Sequence, residues 1–239
     1  MPGRGGQEVR NMKFFSYESP FSQVLVKLCY SCYLNLLWFI CSIPVVTLGA
    51  ATTALYYTTL KIAREEEETS LTRMFFRSFR ENFRQSTVLW LILLAVGAFL
   101  AGDGYILYHL RASSAGPVAV MWTLMLAIVV AAAVFYTIVL LYVFPLVASV
   151  SNTNRAMVKN AFFIGVRYLF CTILVFAIHF AMFFVVVRFF TPLIIFGEGL
   201  CALVSSYPLS GVIRACSYDP KQTVEADEAG PDGGDGDEL

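Results

Sequence analysis

Apolar residues in this chain gather into runs of about twenty, the length a helix needs to cross a bilayer. Five runs are plain: Leu28 to Leu48, Thr87 to Tyr105, Val118 to Val147, Tyr168 to Phe189 and Leu193 to Ile213. The third of these runs, Val118 to Val147, counts thirty residues, about 45 Å of helix against a hydrocarbon core of about 30 Å, so it is expected to tilt or project. A sixth stretch, "GAATTALYYTTLKI" from Gly49 to Ile62, is only moderately apolar, and threonines stand at 47, 52, 53, 58 and 59. Hydropathy alone leaves its crossing open.

The basic residues arbitrate, because cytoplasmic loops retain Lys and Arg. If the threonine-rich stretch crosses and both termini lie inside, fifteen of the seventeen cations face the cytoplasm, and only Arg111 and Arg188 face out. If it does not cross, every later segment flips and the split becomes six inside against eleven outside. The expected fold is therefore an all-α polytopic membrane bundle of about six transmembrane helices in three hairpins, with five as the alternative. Its outer turns fall near Pro44 to Gly49, His109 to Pro117 and Phe190 to Pro192, each holding Pro, Gly or both, as a chain reversal requires.

Composition agrees and excludes other classes. With mean hydropathy of +0.68 and 58% hydrophobic against 14% charged residues, the chain is too apolar for a soluble globular domain of this length. The first apolar run lacks a small-residue cleavage site and is expected to stay as an anchor. Six cysteines lie almost wholly in apolar runs, where Cys packs as a small hydrophobe. Cys29-Tyr-Ser-Cys32 has redox spacing without a βαβ setting, and two histidines leave little room for a zinc site. No cofactor is expected.

Against this background, "SLTRMFFRSFRENFRQSTVLW" from Ser70 to Trp90 is a basic and aromatic island. On a helix Thr72, Phe76, Phe79 and Phe83 share a face, while Arg73, Arg77, Arg80 and Arg84 form a stripe about 100° round from it. That pattern predicts a cytoplasmic amphipathic helix in the headgroup plane, rings in the acyl boundary and guanidinium groups on phosphates. Two roles fit it: a lipid anchor, or a docking surface for a protein partner. The preceding acidic run, Glu65 to Glu68, is the feature that separates the two, since a pure anchor has no use for it beside anionic headgroups. Nucleic acid is not an expected partner. A second amphiphilic stretch, Asn152 to Leu169, sets Arg155 and Lys159 before Phe162 and Phe163.

Three segments carry a resemblance: "MKFFSYESPF" from Met12, "NLLWFICSIPVVTLGAATTALYYTTLKIAREEE" from Asn35 and "FFRSFRENFRQST" from Phe75. Together they resemble the YesL-like family of bacterial membrane proteins of unknown function, across roughly Met12 to Ser217. The resemblance implies an extension at 1–12, a membrane domain at 13–217, a bacterial cell membrane location and an association with carbohydrate ABC-transporter genes. It implies no catalytic residue.

Four ionisable residues fall within or at the ends of spans: Asp103, His179, Arg188 and Glu198. A charge at mid-bilayer costs about 3 kcal/mol or more, so such groups pair or line wet cavities. Asp103, Arg188 and Glu198 are expected toward the outer leaflet, as an ion-paired lock between hairpins, as the floor of a polar cavity, or as separate charges snorkelling to the interface. His179, in "VFAIHFAMFF", is expected to be a neutral packing histidine or a proton relay. The tail 218–239, with seven acids after Thr223, is too acidic and glycine-rich to bury a core and is expected to be disordered.

No nucleophile–base pair, HExxH-like pair or phosphate-binding loop is visible, so an enzyme is not expected. The leading expectation is an accessory or regulatory component of carbohydrate uptake, acting on an ABC permease or ATPase through its cytoplasmic loops. The alternative is a small transporter or channel with its polar site between the third, fifth and sixth spans.

Overall fold

The computed structural model of the protein describes residues 20–66, 70–188 and 194–217. The extension at 1–12 and the acidic tail, including its expected disorder, lie outside these residues. Seven α-helices form the described chain: α1 (Pro20–Ser42), α2 (Leu48–Arg64), α3 (Leu71–Ala112), α4 (Gly116–Ser149), α5 (Asn154–Arg167), α6 (Leu169–Arg188) and α7 (Ile194–Ser217). Among the described residues there is no strand. Five helices, α1, α3, α4, α6 and α7, are long and apolar enough to cross a membrane. The all-α polytopic bundle stands.

The threonine-rich stretch is α2, and it is the centre of the bundle. Its 17 residues measure about 26 Å, short of a full span, and by length and composition it is not one of the five. It packs against α1, α3, α4 and α7, and Ala50, Ala51, Thr53, Ala54, Leu55, Thr58, Thr59 and Ile62 are fully buried. Small residues make this enclosure possible. A Cβ on Gly49 would stand 2.5 Å from the Trp90 Cβ and 2.6 Å from the Ser86 carbonyl oxygen, so only glycine lets α3 come this close.

The threonines are satisfied inside the protein. Thr53, Thr58 and Thr59 donate back to the carbonyls of Gly49, Ala54 and Leu55. Across helices Thr53 meets Ser86 at 2.8 Å, Ser206 donates to Thr59 at 2.9 Å, and the Trp38 indole donates to Thr52 at 3.1 Å. A helix surrounded by protein rather than lipid has no need of high hydropathy, which is why the sequence leaves this segment ambiguous.

α1 ends before Pro44, and the 3-10 turn Val45–Thr47 reverses the chain. The Thr47 hydroxyl satisfies the Cys41 and Pro44 carbonyls at 2.6 and 2.7 Å. α2 then runs back to the start of α1, where Glu65 lies 3.4 Å from Lys27. Glu65 adopts a left-handed conformation (φ 57°), and the Glu65 and Glu66 amides close the helix end on Ile62 and Lys61. Lys61 and Arg64 occupy the last turn, favourable against the helix dipole.

α3 departs from the sequence expectation. The amphipathic segment and the following span, read as two elements with the first lying flat in the headgroup plane, are one helix of 42 residues, about 63 Å long. No Pro or Gly interrupts it before Gly97. Phe75, Ser78, Ser86, Leu89 and Leu93 form a continuous buried row, so packing gives it no reason to break. Its first half lies along α2, and at either end it reaches past α2: Thr72 meets Tyr33 of α1 at 2.7 Å, and the Trp90 indole donates to the carbonyl of Val45 in the 3-10 turn at 2.8 Å. The α1–α2 turn is therefore level with Trp90.

Twenty-two more residues of α3, about 33 Å, run on from Trp90 to Ala112. Over this length α3 pairs with α4, through Tyr136 to the Leu93 carbonyl at 3.0 Å and Arg111 to Thr123 at 2.9 Å. The turns expected near Pro44 and His109 are where the sequence puts them; the third, at Phe190 to Pro192, lies outside the described residues. α4 reaches 34 residues, longer than a bilayer core needs. α5, the second amphiphilic stretch, is a separate short helix seated on α4.

Candidate functional site

Two places gather chemistry. The first is the outer face of the proximal half of α3. Arg73, Arg77, Arg80 and Arg84 are all exposed. Arg77 is anchored: its guanidinium donates to the Tyr57 hydroxyl and lies 5.7 Å from that ring, which Lys61 approaches at 5.8 Å. The phenylalanines divide between environments. Phe76 and Phe83 stay exposed, whereas Phe79 is partly buried between Phe75 (6.4 Å, stacked) and Phe83 (5.5 Å, edge-on). The helix is rotated so that Met74, Phe75 and Ser78 face the core, which leaves Arg73, Arg80 and Arg84 exposed while Arg77 reaches back to α2.

The acidic run beside this face has a structural task. Glu65 pairs with Lys27 on α1, and Glu66 lies 3.8 Å from Arg214 on α7. Lys27 also lies over the Tyr207 ring at 5.7 Å. The ends of α1, α2 and α7 thus meet at the base of the arginine helix. These pairs are solvent-exposed, so each contributes no more than about 1 kcal/mol; their value is in fixing register.

The second place is a cavity of about 270 Å³ between α1, α6 and α7, lined by Trp38, His179, Met182, Phe183, Glu198 and Cys201 among others. His179 Nδ1 lies 2.9 Å from the Val175 carbonyl, and Nε2 lies 3.2 Å from the Tyr56 hydroxyl. A carbonyl only accepts, so Nδ1 carries the proton, and in the neutral ring Nε2 accepts from Tyr56. Glu198 is within electrostatic range of His179 and Tyr56.

Of the four ionisable residues expected to cluster, the structure brings together His179 and Glu198. Asp103 is half-buried on the distal part of α3 and Arg188 is exposed at the end of α6. Among the described residues no ion pair joins either to Glu198. The expected three-charge lock is not seen among the described residues: at the level of Asp103 α3 packs on α4, and Arg188, although α6 packs against α7, is exposed with no ion pair to Glu198. Among the described residues, no three His, Cys, Asp or Glu side chains gather as metal ligands.

Sequence reasoning missed Asn35, which is fully buried and accepts from the Gly199 amide at 2.6 Å. It also missed Tyr56 and the hydroxyl pairs around α2. A polar residue at a helical interval within an apolar run was the available signal for Asn35, four residues from buried Ser31.

A bundle of long apolar helices wrapped around a short polar one defines a multi-pass integral membrane protein. Comparison with known proteins narrows the class. A family described as "Protein of unknown function, DUF624" matches residues 32–103, the stretch that holds the second half of α1, all of α2 and most of α3. The "Uncharacterized protein YesL" of Bacillus subtilis (strain 168) is 27% identical over 175 residues, covering 72% of this chain and 79% of that protein. No solved structure matches. The two matches support a YesL-like family of unknown function.

Proposed function

We propose that this chain is an accessory or regulatory protein of a bacterial cell membrane, with both termini cytoplasmic, that serves carbohydrate uptake by docking an ABC permease or ATPase on its basic α3 face. The observation that carries this reading is the exposure of Arg73, Arg80 and Arg84 on a helix packed along α2. A surface used only for packing would have been covered by the bundle. The link to carbohydrate uptake rests on the family resemblance alone. No catalytic role is part of this reading.

Affinity capture from native membranes tests it, with Arg73, Arg80 and Arg84 changed together to Gln and Arg77 kept for its bond to Tyr57. A transport permease or ATPase recovered with the native chain and lost with the variant is the expected result. The second reading, a small transporter, draws on the His179–Glu198 cavity. No captured transport component, together with solute flux in proteoliposomes that Glu198→Gln abolishes, would put it first.

A further inference from the structure

The arginine stripe has an occupant within reach on the same chain. α7 ends at Ser217, and Arg214 in its last turn lies 3.8 Å from Glu66. Glu66 precedes Arg73 by seven residues, which places the two within about 25 Å even along an extended link. The exit of the C-terminal tail and the arginine helix therefore lie at one end of the bundle and on one side of any membrane it crosses. This holds whichever side that is.

Length and charge then fit. The tail first presents an acid of its dense run at Glu225, eight residues past Ser217, a reach of about 28 Å. Its seven acids between Glu225 and Glu238 span more chain than the stripe from Arg73 to Arg84, which is about 17 Å long on the helix. On the receiving side, Arg73, Arg80 and Arg84 are exposed, and a concavity of about 670 Å³ is lined by Arg73, Phe76, Arg77 and Arg80. Glu81 is the acid on this part of the helix. Among the described residues of the preceding acidic run, Glu65 and Glu66 are engaged with Lys27 and Arg214.

We infer that the acidic segment Glu225 to Glu238 docks on the Arg73–Arg80–Arg84 face of its own chain, covering the surface until a partner displaces it. The inference rests on the proposed function only in treating this face as a docking surface; it needs no particular partner. Because the contact is exposed and ionic, it weakens steeply at about 1 M salt, where the screening length falls to about 3 Å. Carboxylate–guanidinium pairs provide the attraction, and the exposed rings of Phe76 and Phe83 border them.

The test uses the full chain in nanodiscs holding one copy each, with Arg73, Arg80 and Arg84 changed to Lys. The charge is kept, and each position gains an amine that a carbodiimide joins to a neighbouring carboxylate as an amide. Mass spectrometry is expected to find cross-links from positions 73, 80 and 84 to acids between 225 and 238. Their yield should drop at least tenfold at high salt, and likewise when the seven tail acids are changed to Asn or Gln. Cross-links confined to native lysines, with none at 73, 80 or 84, would overturn the inference. So would cross-links that form in zwitterionic discs but vanish in discs rich in phosphatidylglycerol, which would hand the surface to lipid. Unchanged circular dichroism of the lysine variant separates these outcomes from misfolding. Tail cross-links without a captured transport component would sink the proposed function alone, and arginine-dependent capture without cross-links would sink this inference alone.

Discussion

Helix α2 and the hairpin made by α4 with the distal half of α3 are opposites. α2 is rich in threonine and modest in hydropathy, yet protein encloses it almost completely. α4 is the most hydropathic helix of the chain, yet along its first two-thirds most large side chains are exposed, Leu124 at 63% and Ile128 at 69%. In water the two would exchange places. In a bilayer, lipid tails solvate leucine as well as a protein core does, so apolar residues gain nothing by moving inward. What moves inward is the backbone that small residues let approach, and the hydroxyls that must find partners away from lipid.

That contrast is open to direct attack. Leu55→Ala, fully buried on α2, should lower stability by about 2–5 kcal/mol, whereas Leu124→Ala on α4 should change it by less than about 0.5 kcal/mol. Reversible unfolding in mixed micelles measures both, and equal effects would break the comparison. Gly49→Ala should cost about 1–3 kcal/mol through overpacking against Trp90 and Ser86. Gly102→Ala, with nothing within 4 Å of its added Cβ, should leave the midpoint unchanged or raise it slightly.

Thr59→Val removes the acceptor for Ser206 and should cost about 0.6–2 kcal/mol; Ser206→Ala, Thr59→Val together should cost no more than the sum of the single changes. The smallest effect belongs to Asp103→Asn. With no ion pair to lose among the described residues, folded yield and thermal midpoint should stay as they are, and a clear loss would revive the three-charge lock.

Much of the architecture was legible in the chain. The five apolar runs became α1, the distal part of α3, α4, α6 and α7, because lipid-facing helices must be apolar all along their exposed faces. The arginine segment was legible as an amphipathic helix, but not as the base of a longer one. A local moment shows which faces differ without showing what each will touch, and the core row of Phe75 and Ser78 lies beside the expected ring row of Phe76, Phe79 and Phe83. The second site was half legible. His179 and Glu198 stood out as charges in apolar surroundings, but Tyr56, the partner of His179, is 123 positions away in sequence and looked like any tyrosine. Asp103 and Arg188 stood out equally and met neither Glu198 nor each other: Asp103 is on a helix that packs on α4, and Arg188, on a helix that does pack against α7, is exposed at its end, a placement that sequence depth does not give.

The unbroken run of α3 from Leu71 to Ala112 makes it a lever as well as a wall. Its arginine end sits at the base of the bundle, and its far tip carries His109 and Arg111. A rod about 63 Å long that swings by about 5° carries its tip through about 5 Å. Whatever grips the stripe on one side of the bilayer therefore holds a handle whose other end emerges on the opposite side.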